Sequence, residues 1–269
     1  VDELIVLGTG NAMVTKCYNT CFALWDQEED QYFLSDAGGG NGILSRFAGG
    51  LLDAKKLHHA FITHKHTDHM FGIFWVMREI AGHIFDQSYQ GNFYIYCHEE
   101  LAKTITAICS LTLSDRVNAL FGERILILPV QDGETKEVFG NQVTFFDLGA
   151  RKCLQYGFTI SLKNSKRLTF LGDEPYRASS HQYVQECDWL LAEALCLAAH
   201  GERYRPWEIE HSTVVEVCQM AEEHGVKNLV LWHTEDDHLD RRKELYTQEG
   251  RGYFSGRIFV PDDLERIRL

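Results

Sequence analysis

Short apolar runs closed by glycine, aspartate or histidine recur along the chain, and their length predicts buried β-strands. The first, Leu4-Ile5-Val6-Leu7, stops at Gly8-Thr9-Gly10-Asn11, a tight turn by composition. Further strands are expected over residues 20–25, 32–34, 60–63, 93–97 and 125–129, with helix-period stretches over 70–80 and 99–111. Beyond residue 140 come strands 143–146 and 157–162, a turn at Asn164-Ser165-Lys166, and strand 168–171. A second half reads as strand 189–192, helix 213–223, strand 228–232, a polar helix over 240–247 and a closing pair of strands near 258–260 and 267–269. Strands and helices mixed in this order predict an α/β architecture, sheets in the middle and helices outside, in one domain of residues 1–269.

The composition narrows the function. A chain of 269 residues with 45% hydrophobic content can bury a sizeable core. It holds no run of about 18 apolar residues and opens without a basic patch followed by an apolar stretch, so the expectation is a cytoplasmic protein with no membrane partner. The eight cysteines form no CxxC pair and are expected to be reduced, most of them as small core residues. A formal charge of −13 works against sequence-independent attraction to polyanions, so RNA is not the favoured partner.

Candidate chemistry is concentrated in Phe61-Ile62-Thr63-His64-Lys65-His66-Thr67-Asp68-His69-Met70-Phe71-Gly72. If the backbone stays extended, His64, His66 and Asp68 point to one side while Asp68 and His69 diverge, a geometry that suits two neighbouring ions. Imidazole nitrogen and carboxylate oxygen are what a catalytic zinc takes. A two-ion site needs more ligands, and two candidates close apolar strands: Asp173 in Leu168-Thr169-Phe170-Leu171-Gly172-Asp173, and His233 in Leu229-Val230-Leu231-Trp232-His233. Alone, the first reads as a turn residue and the second as a core histidine. Their joint position at strand ends, where a rigid sheet hands over to loops, singles them out.

On these residues the chain resembles the metallo-β-lactamase superfamily, whose HxHxDH motif is matched by His64, His66, Asp68 and His69. The details resemble its ribonuclease Z and phosphodiesterase branch: Leu7-Gly8-Thr9-Gly10, Asn19-Thr20, Asp36-Ala37-Gly38, Gly172-Asp173, Leu190-Leu191-Ala192-Glu193-Ala194, His211-Ser212-Thr213 and Val260-Pro261-Asp262. The resemblance implies a four-layer αββα sandwich and two divalent ions, zinc first, with manganese or iron as alternatives. It gives His64 and His66 to one ion, Asp68, His69 and His233 to the other, and Asp173 to both, with Asp36 orienting a histidine ligand through its other ring nitrogen. Asp68 would also accept the proton of a water activated by the cations. Glu193 and His211 would form a dyad that protonates the leaving oxygen. Thr213 and Glu216 mark a capping box just after His211, and that helix start is a favourable place for a phosphate oxygen.

The pattern breaks in two places. The family's third motif puts a histidine ligand six residues before its Gly-Phe strand, where this chain has Arg151, and no histidine occurs between His98 and His181. Asp147, Cys153 or His98 could substitute, the first ion could be under-coordinated, or Arg151 could bind a substrate phosphate directly. Ribonuclease Z enzymes of the usual kind also carry a long arm that grips transfer RNA, whereas here a short turn with Lys163, Lys166 and Arg167 joins two strands. Arg205, in Arg203-Tyr204-Arg205-Pro206-Trp207, is a second candidate for binding substrate. The expected function is a metal-dependent phosphodiesterase acting on a small or nucleotide-like substrate, with 3′-processing of transfer RNA as the alternative. A non-catalytic metal-binding protein is the reading of a different class. Relatives of this kind are commonly homodimers, and the helix over 70–80 offers a contact surface.

Overall fold

The computed structural model describes residues 1–162 and 165–269; Lys163 and Asn164 lie outside the described residues, and the second of them is the first residue of the expected turn at Asn164-Ser165-Lys166. The chain divides into two compact units. The first comprises Val1–Gly8, Thr20–Gln131 and Leu264–Leu269, the second Thr9–Asn19 and Asp132–Asp263. The strands are β1 (Glu3–Gly8), β2 (Cys21–Asp26), β3 (Gln31–Ser35), β4 (Leu57–Phe61), β5 (Phe93–His98) and β6 (Ile125–Val130). There follow β7 (Thr135–Val138), β8 (Asn141–Asp147), β9 (Tyr156–Ser161), β10 (Arg167–Phe170), β11 (Trp189–Glu193), β12 (Asn228–Trp232), β13 (Arg257–Phe259) and β14 (Arg266–Arg268). The longer helices are α1 (Gly72–Phe85), α2 (Glu99–Thr112), α3 (Val214–Glu223) and α4 (Arg242–Gly250).

Each unit owns one sheet, and each sheet changes character half-way. In the first unit the order is β14-β1-β2-β3-β4-β5-β6, antiparallel as far as β3 and parallel from β3 to β6. In the second the order is β13-β12-β11-β10-β9-β8-β7, antiparallel from β7 to β10 and parallel from β10 to β13. Parallel strands end on the same edge of their sheet, so the residues that follow them gather there. That rule brings the loops after β3 and β4 together in one unit, and those after β10, β11 and β12 together in the other. The two parallel strands in the middle of that half-sheet are apolar, as burial on both faces demands: all five residues of β11 are buried, as are all but the first of β12.

Helices cover the strands with one apolar stripe each. In α1 the stripe is Ile73, Val76, Met77 and Ile80; in α3 it is Val214, Val217, Cys218 and Ala221, packed in one cluster with Leu190, Ala192, Leu229 and Leu231. The expected capping box forms at the start of α3: Thr213 Oγ1 accepts the Glu216 N–H and Glu216 Oε2 accepts the Thr213 N–H at 2.7 Å. No cysteine is in a disulfide, and burial pushes the thiols of Cys97, Cys109, Cys187, Cys196 and Cys218 up to about 12, which makes them inert packing groups. Among the described residues no helix is long and apolar enough to cross a membrane.

Two expectations about elements are corrected. The closing strands form, but not as a pair: β13 adds to β12, while β14 adds to β1. Between them the Asp263 carboxylate accepts the Thr9 hydroxyl at 2.8 Å and the Tyr18 N–H at 2.7 Å, so the chain before the last strand is tied to the loop after β1 and not into a hairpin. Strand β7, Thr-Lys-Glu-Val, was not expected because it is a polar edge strand with a single buried residue and hence no apolar run.

Candidate metal centre and hydrolytic site

In the first unit the histidine-rich loop follows β4, bends at Lys65 and is extended at His66, at φ −63° and ψ 147°. There a single helical turn, Thr67–Met70, begins, and the His69 and Met70 N–H groups donate back to the His66 carbonyl. The two-residue alternation expected for His64, His66 and Asp68 therefore does not extend to Asp68, because His66 caps the turn that carries it. The rings of His64 and His66 lie edge-on at 4.5 Å, and the turn swings His69 to within 4.4 Å of the His64 ring.

One carboxylate orients both of those rings. Asp36 follows β3 in the left-handed region, at φ 52°, and is fully buried. Its Oδ2 accepts from His69 Nδ1 at 2.8 Å, and its Oδ1 accepts the Thr63 N–H at 2.9 Å. The Thr63 hydroxyl donates to Asp36 at 2.9 Å and, its hydrogen thus committed, accepts from His64 Nδ1 at 2.8 Å. With Asp36 ionised, and so only accepting, this chain of contacts sets the proton of both histidines on Nδ1 and leaves Nε2 as the ligand edge. The Asp36 expectation is met, with His69 as its direct partner. Burial opposes charge on His69, but Asp68 and Asp36 more than offset it and hold the imidazole well above its ordinary pKa. The electrostatics at that ring call for a cation.

In the second unit the groups come from three loops at one sheet edge. Asp173 follows Gly172, and His233 follows β12 in the left-handed region at φ 56°. The His233 Nε2 stands 3.8 Å from Asp173 Oδ2. His211 joins them: one ligand atom from each of Asp173, His211 and His233 lies within 4.8 Å of the others. His211 Nδ1 is 3.3 Å from Glu193 Oε2, while Glu193 Oε1 accepts the Ser212 N–H at 2.8 Å. The two residues are thus neighbours, with Glu193 closing β11 and both side chains buried or nearly so. The start of α3, by contrast, is not open to a phosphate. Glu193 and Glu216 already accept the N–H groups of Ser212 and Thr213 there, and two carboxylates repel a further anion.

A cleft of about 340 Å³ adjoins His211, lined by Arg151, Tyr176, Arg177, Trp207 and Met220 among others. Arg177 is held by Glu174 and Glu210, each at 2.6 Å, whereas Arg151 is 71% exposed and meets Glu210 only at 3.5 Å. Arg205 pairs with Glu208 at 3.5 Å and does not line the cleft; from that loop Trp207 does. The sequence reading missed Lys152, whose Nζ lies 3.4 Å from His211 Nε2. It also missed Gln155, which is fully buried and donates from Nε2 to Asp173 Oδ1 at 2.6 Å.

Residues 32–234 match the model of the β-lactamase superfamily domain. The chain belongs to the metallo-β-lactamase superfamily. Its sequence is 25% identical to the ribonuclease Z of Streptomyces avermitilis over 302 aligned positions, covering 99% of this chain and 97% of the relative, which places it in the ribonuclease Z-like branch. Among solved structures it is similar to the metallo-β-lactamase fold protein YhfI from Bacillus subtilis, with TM-score 0.80, 18% identity and coverage of 100% and 99% of the two chains. It is also similar to a diphosphatase of the PhnP family, with TM-score 0.73, 17% identity and coverage of 100% and 97%. The fold expected from the motif, an α/β metallo-β-lactamase fold, is the one observed.

Membership in the superfamily makes this a metal-dependent hydrolase, and the donor chemistry fits a divalent ion: buried imidazoles locked by their second nitrogen, beside carboxylates. At the third motif the superfamily's histidine has no counterpart. Asp147 is spent on a turn, accepting the Gly149 N–H at 2.8 Å, and His98 caps α2 by accepting the Leu101 N–H. Cys153 is half-buried and belongs to none of the metal-capable clusters. Gln155, four residues beyond Arg151, is what this stretch places against Asp173.

Proposed function

We propose that this hydrolase cleaves phosphodiesters with a small, nucleotide-like leaving group, holding two divalent ions of which zinc is the first candidate. By the family resemblance, the residues that would hold them are His64 and His66 for one ion, Asp68, His69 and His233 for the other, and Asp173 for both. When bound, the ions supply an activated water and withdraw charge from the phosphoryl group. Asp68 takes the proton of the attacking water. His211, steadied by Glu193, gives a proton to the leaving oxygen, and Lys152 and Arg151 hold the phosphate oxygens on the cleft side. One observation carries this reading: a Glu193–His211 pair lies at a metal-capable donor set, with the Lys152 ammonium at the outward nitrogen of the histidine. An anion between Lys152 and His211 would draw the two groups into one clamp. A non-catalytic metal binder would have no use for such a proton donor.

Whole-length likeness to ribonuclease Z supports transfer RNA 3′-processing as the second reading. Against it stand the five-residue connection between Ser161 and Arg167, paired across β9 and β10, and the charge of −13. The apolar side chains of Phe71 and Trp75, partly exposed on and beside α1, support a homodimer through that helix. The deciding test compares His211→Ala with wild type on two phosphodiesters under zinc or manganese, one leaving as p-nitrophenolate and one as a nucleoside alkoxide. The alkoxide needs a proton, so its turnover falls by about 100- to 10,000-fold and the p-nitrophenolate reaction by much less. Equal losses on both, together with a lowered metal content, would make His211 a ligand and end the acid assignment. Preferential cleavage of a precursor transfer RNA over cyclic and linear dinucleotides would promote the second reading.

A further inference from the structure

We infer that Gln155 is the positioning residue of the Asp173 carboxylate, fixing Oδ2 as the oxygen offered to a metal ion. The inference rests on the reading of Asp173 as a ligand. Gln155 makes two contacts with the one residue: its Nε2 donates to Asp173 Oδ1 at 2.6 Å, and its Oε1 accepts the Asp173 N–H at 3.0 Å. The amide has only one workable orientation, because turning it over would set oxygen against carboxylate and N–H against N–H. Both residues are buried, at 0% and 3% exposure, so neither contact is shared with bulk water. With Oδ1 engaged, the second oxygen, Oδ2, is the one that faces His233, at 3.8 Å.

The backbone around the pair is shaped to keep it. Gly172 sits at φ 63°, and a Cβ there would fall 2.3 Å from Gln155 Oε1, so the amide uses the space that a side chain would need. The Gln155 carbonyl accepts the Leu148 N–H at 3.0 Å, which anchors the near end of the clamp on the residue that follows β8. Where the superfamily's third motif spends a histidine on the metal, this chain spends a neutral amide on the metal's carboxylate. A charge-neutral donor leaves the carboxylate its full negative charge while removing its freedom to rotate.

The test is calorimetric titration of the full-length, metal-stripped protein with zinc, alongside thermal melting without metal. Gln155→Met, similar in length and without the amide, weakens zinc binding by about 10- to 100-fold. Gln155→Asn, too short to span both contacts, weakens it in the same direction and serves if the methionine variant does not fold. Asp173→Asn is measured in parallel. If Asp173→Asn loses zinc while both Gln155 variants bind it as wild type does, with only the melting temperature lowered, Gln155 is a packing residue and the inference fails. If Asp173→Asn itself binds zinc with wild-type affinity, it is the ligand reading that fails.

Discussion

The two units present their chemical groups by opposite strategies. In the first, the donors His64, His66, Asp68 and His69 lie on one continuous loop, and a single carboxylate, Asp36, orients two of the rings through one direct and one threonine-relayed hydrogen bond. In the second, Asp173, His211 and His233 arrive from three loops far apart in sequence, and each has its own support: Gln155 for Asp173, Glu193 for His211, and a left-handed backbone for His233. A contiguous set is held by its neighbours in the chain. A dispersed set is held by sheet register, here the parallel pairing of β10, β11 and β12.

The same substitution behind a histidine should therefore have different consequences in the two units. Glu193→Gln leaves an amide against His211 Nδ1 and a carbonyl for the Ser212 N–H, but it removes the carboxylate charge beside the ring. Turnover of a nucleoside-leaving phosphodiester falls by about 100-fold or more, while zinc affinity stays at the wild-type value. Asp36→Asn tolerates the left-handed backbone and keeps an oxygen for Thr63, yet it sets N–H groups against His69 Nδ1 and favours the wrong tautomer. Zinc affinity then falls by about 10- to 100-fold, with activity following it. Calorimetry beside steady-state kinetics separates the two. A Glu193→Gln variant that loses zinc would erase the distinction between the units and make His211 a ligand.

The contrast also explains what was legible in the sequence. The first loop stood out through its residue types and spacing, and Asp36 could be placed behind a histidine by resemblance. The Asp173 and His233 positions were legible as the ends of apolar strands, and the Glu193–His211 pair through its resemblance to a known dyad. Gln155 and Lys152 were not legible, for a physical reason. A glutamine before Tyr156-Gly157 or a lysine beside an arginine has no periodicity or partner in sequence: Gln155 gains its contact only when β9 and β10 pair and bring residues 155 and 173 together, and Lys152 only when the fold sets it beside His211, 59 residues on. The alternation argument for Asp68 failed because it assumed an extended backbone where His66 starts a helical turn.

Backbone closeness offers a smaller perturbation of the same comparison. At Gly72 an added Cβ would fall 1.8 Å from the Ala37 carbonyl oxygen, and the segments are tied there by Gly72 N–H to Gly38 O at 2.8 Å and Ala37 N–H to His69 O at 3.0 Å. Neither backbone can yield without moving Asp36 away from His69. Gly72→Ala should cost about 1–3 kcal/mol in chemical denaturation and lower zinc affinity as well. At Gly172 the obstacle is the end of a side chain, so Gly172→Ala should loosen the Gln155 clamp with a smaller loss of stability beyond its left-handed backbone strain. Equal stability losses at both glycines would argue against a backbone-tied first unit.

The smallest expected effect asks what positions His211. The residue stands just before α3, and either the helix cap or the sheet could hold it. The cap is the Thr213–Glu216 box; the sheet side consists of the Glu193 carboxylate, Leu195 N–H to Ser212 O at 2.9 Å and Val214 N–H to Cys196 O at 3.0 Å. Those last bonds fasten the loop to the segment after β11 whatever happens to the cap, and Glu216 still accepts the residue-213 N–H when the threonine hydroxyl is gone. Thr213→Ala should thus lower stability by about 1 kcal/mol. For a chain of this size that is a fall in melting temperature of about 2–4 °C. Turnover should stay within about twofold of wild type, as for a change away from the chemistry. A tenfold loss of turnover with unchanged zinc binding would instead mean that α3 positions the proton donor, and that the second unit holds its chemistry by a helix start as much as by sheet register.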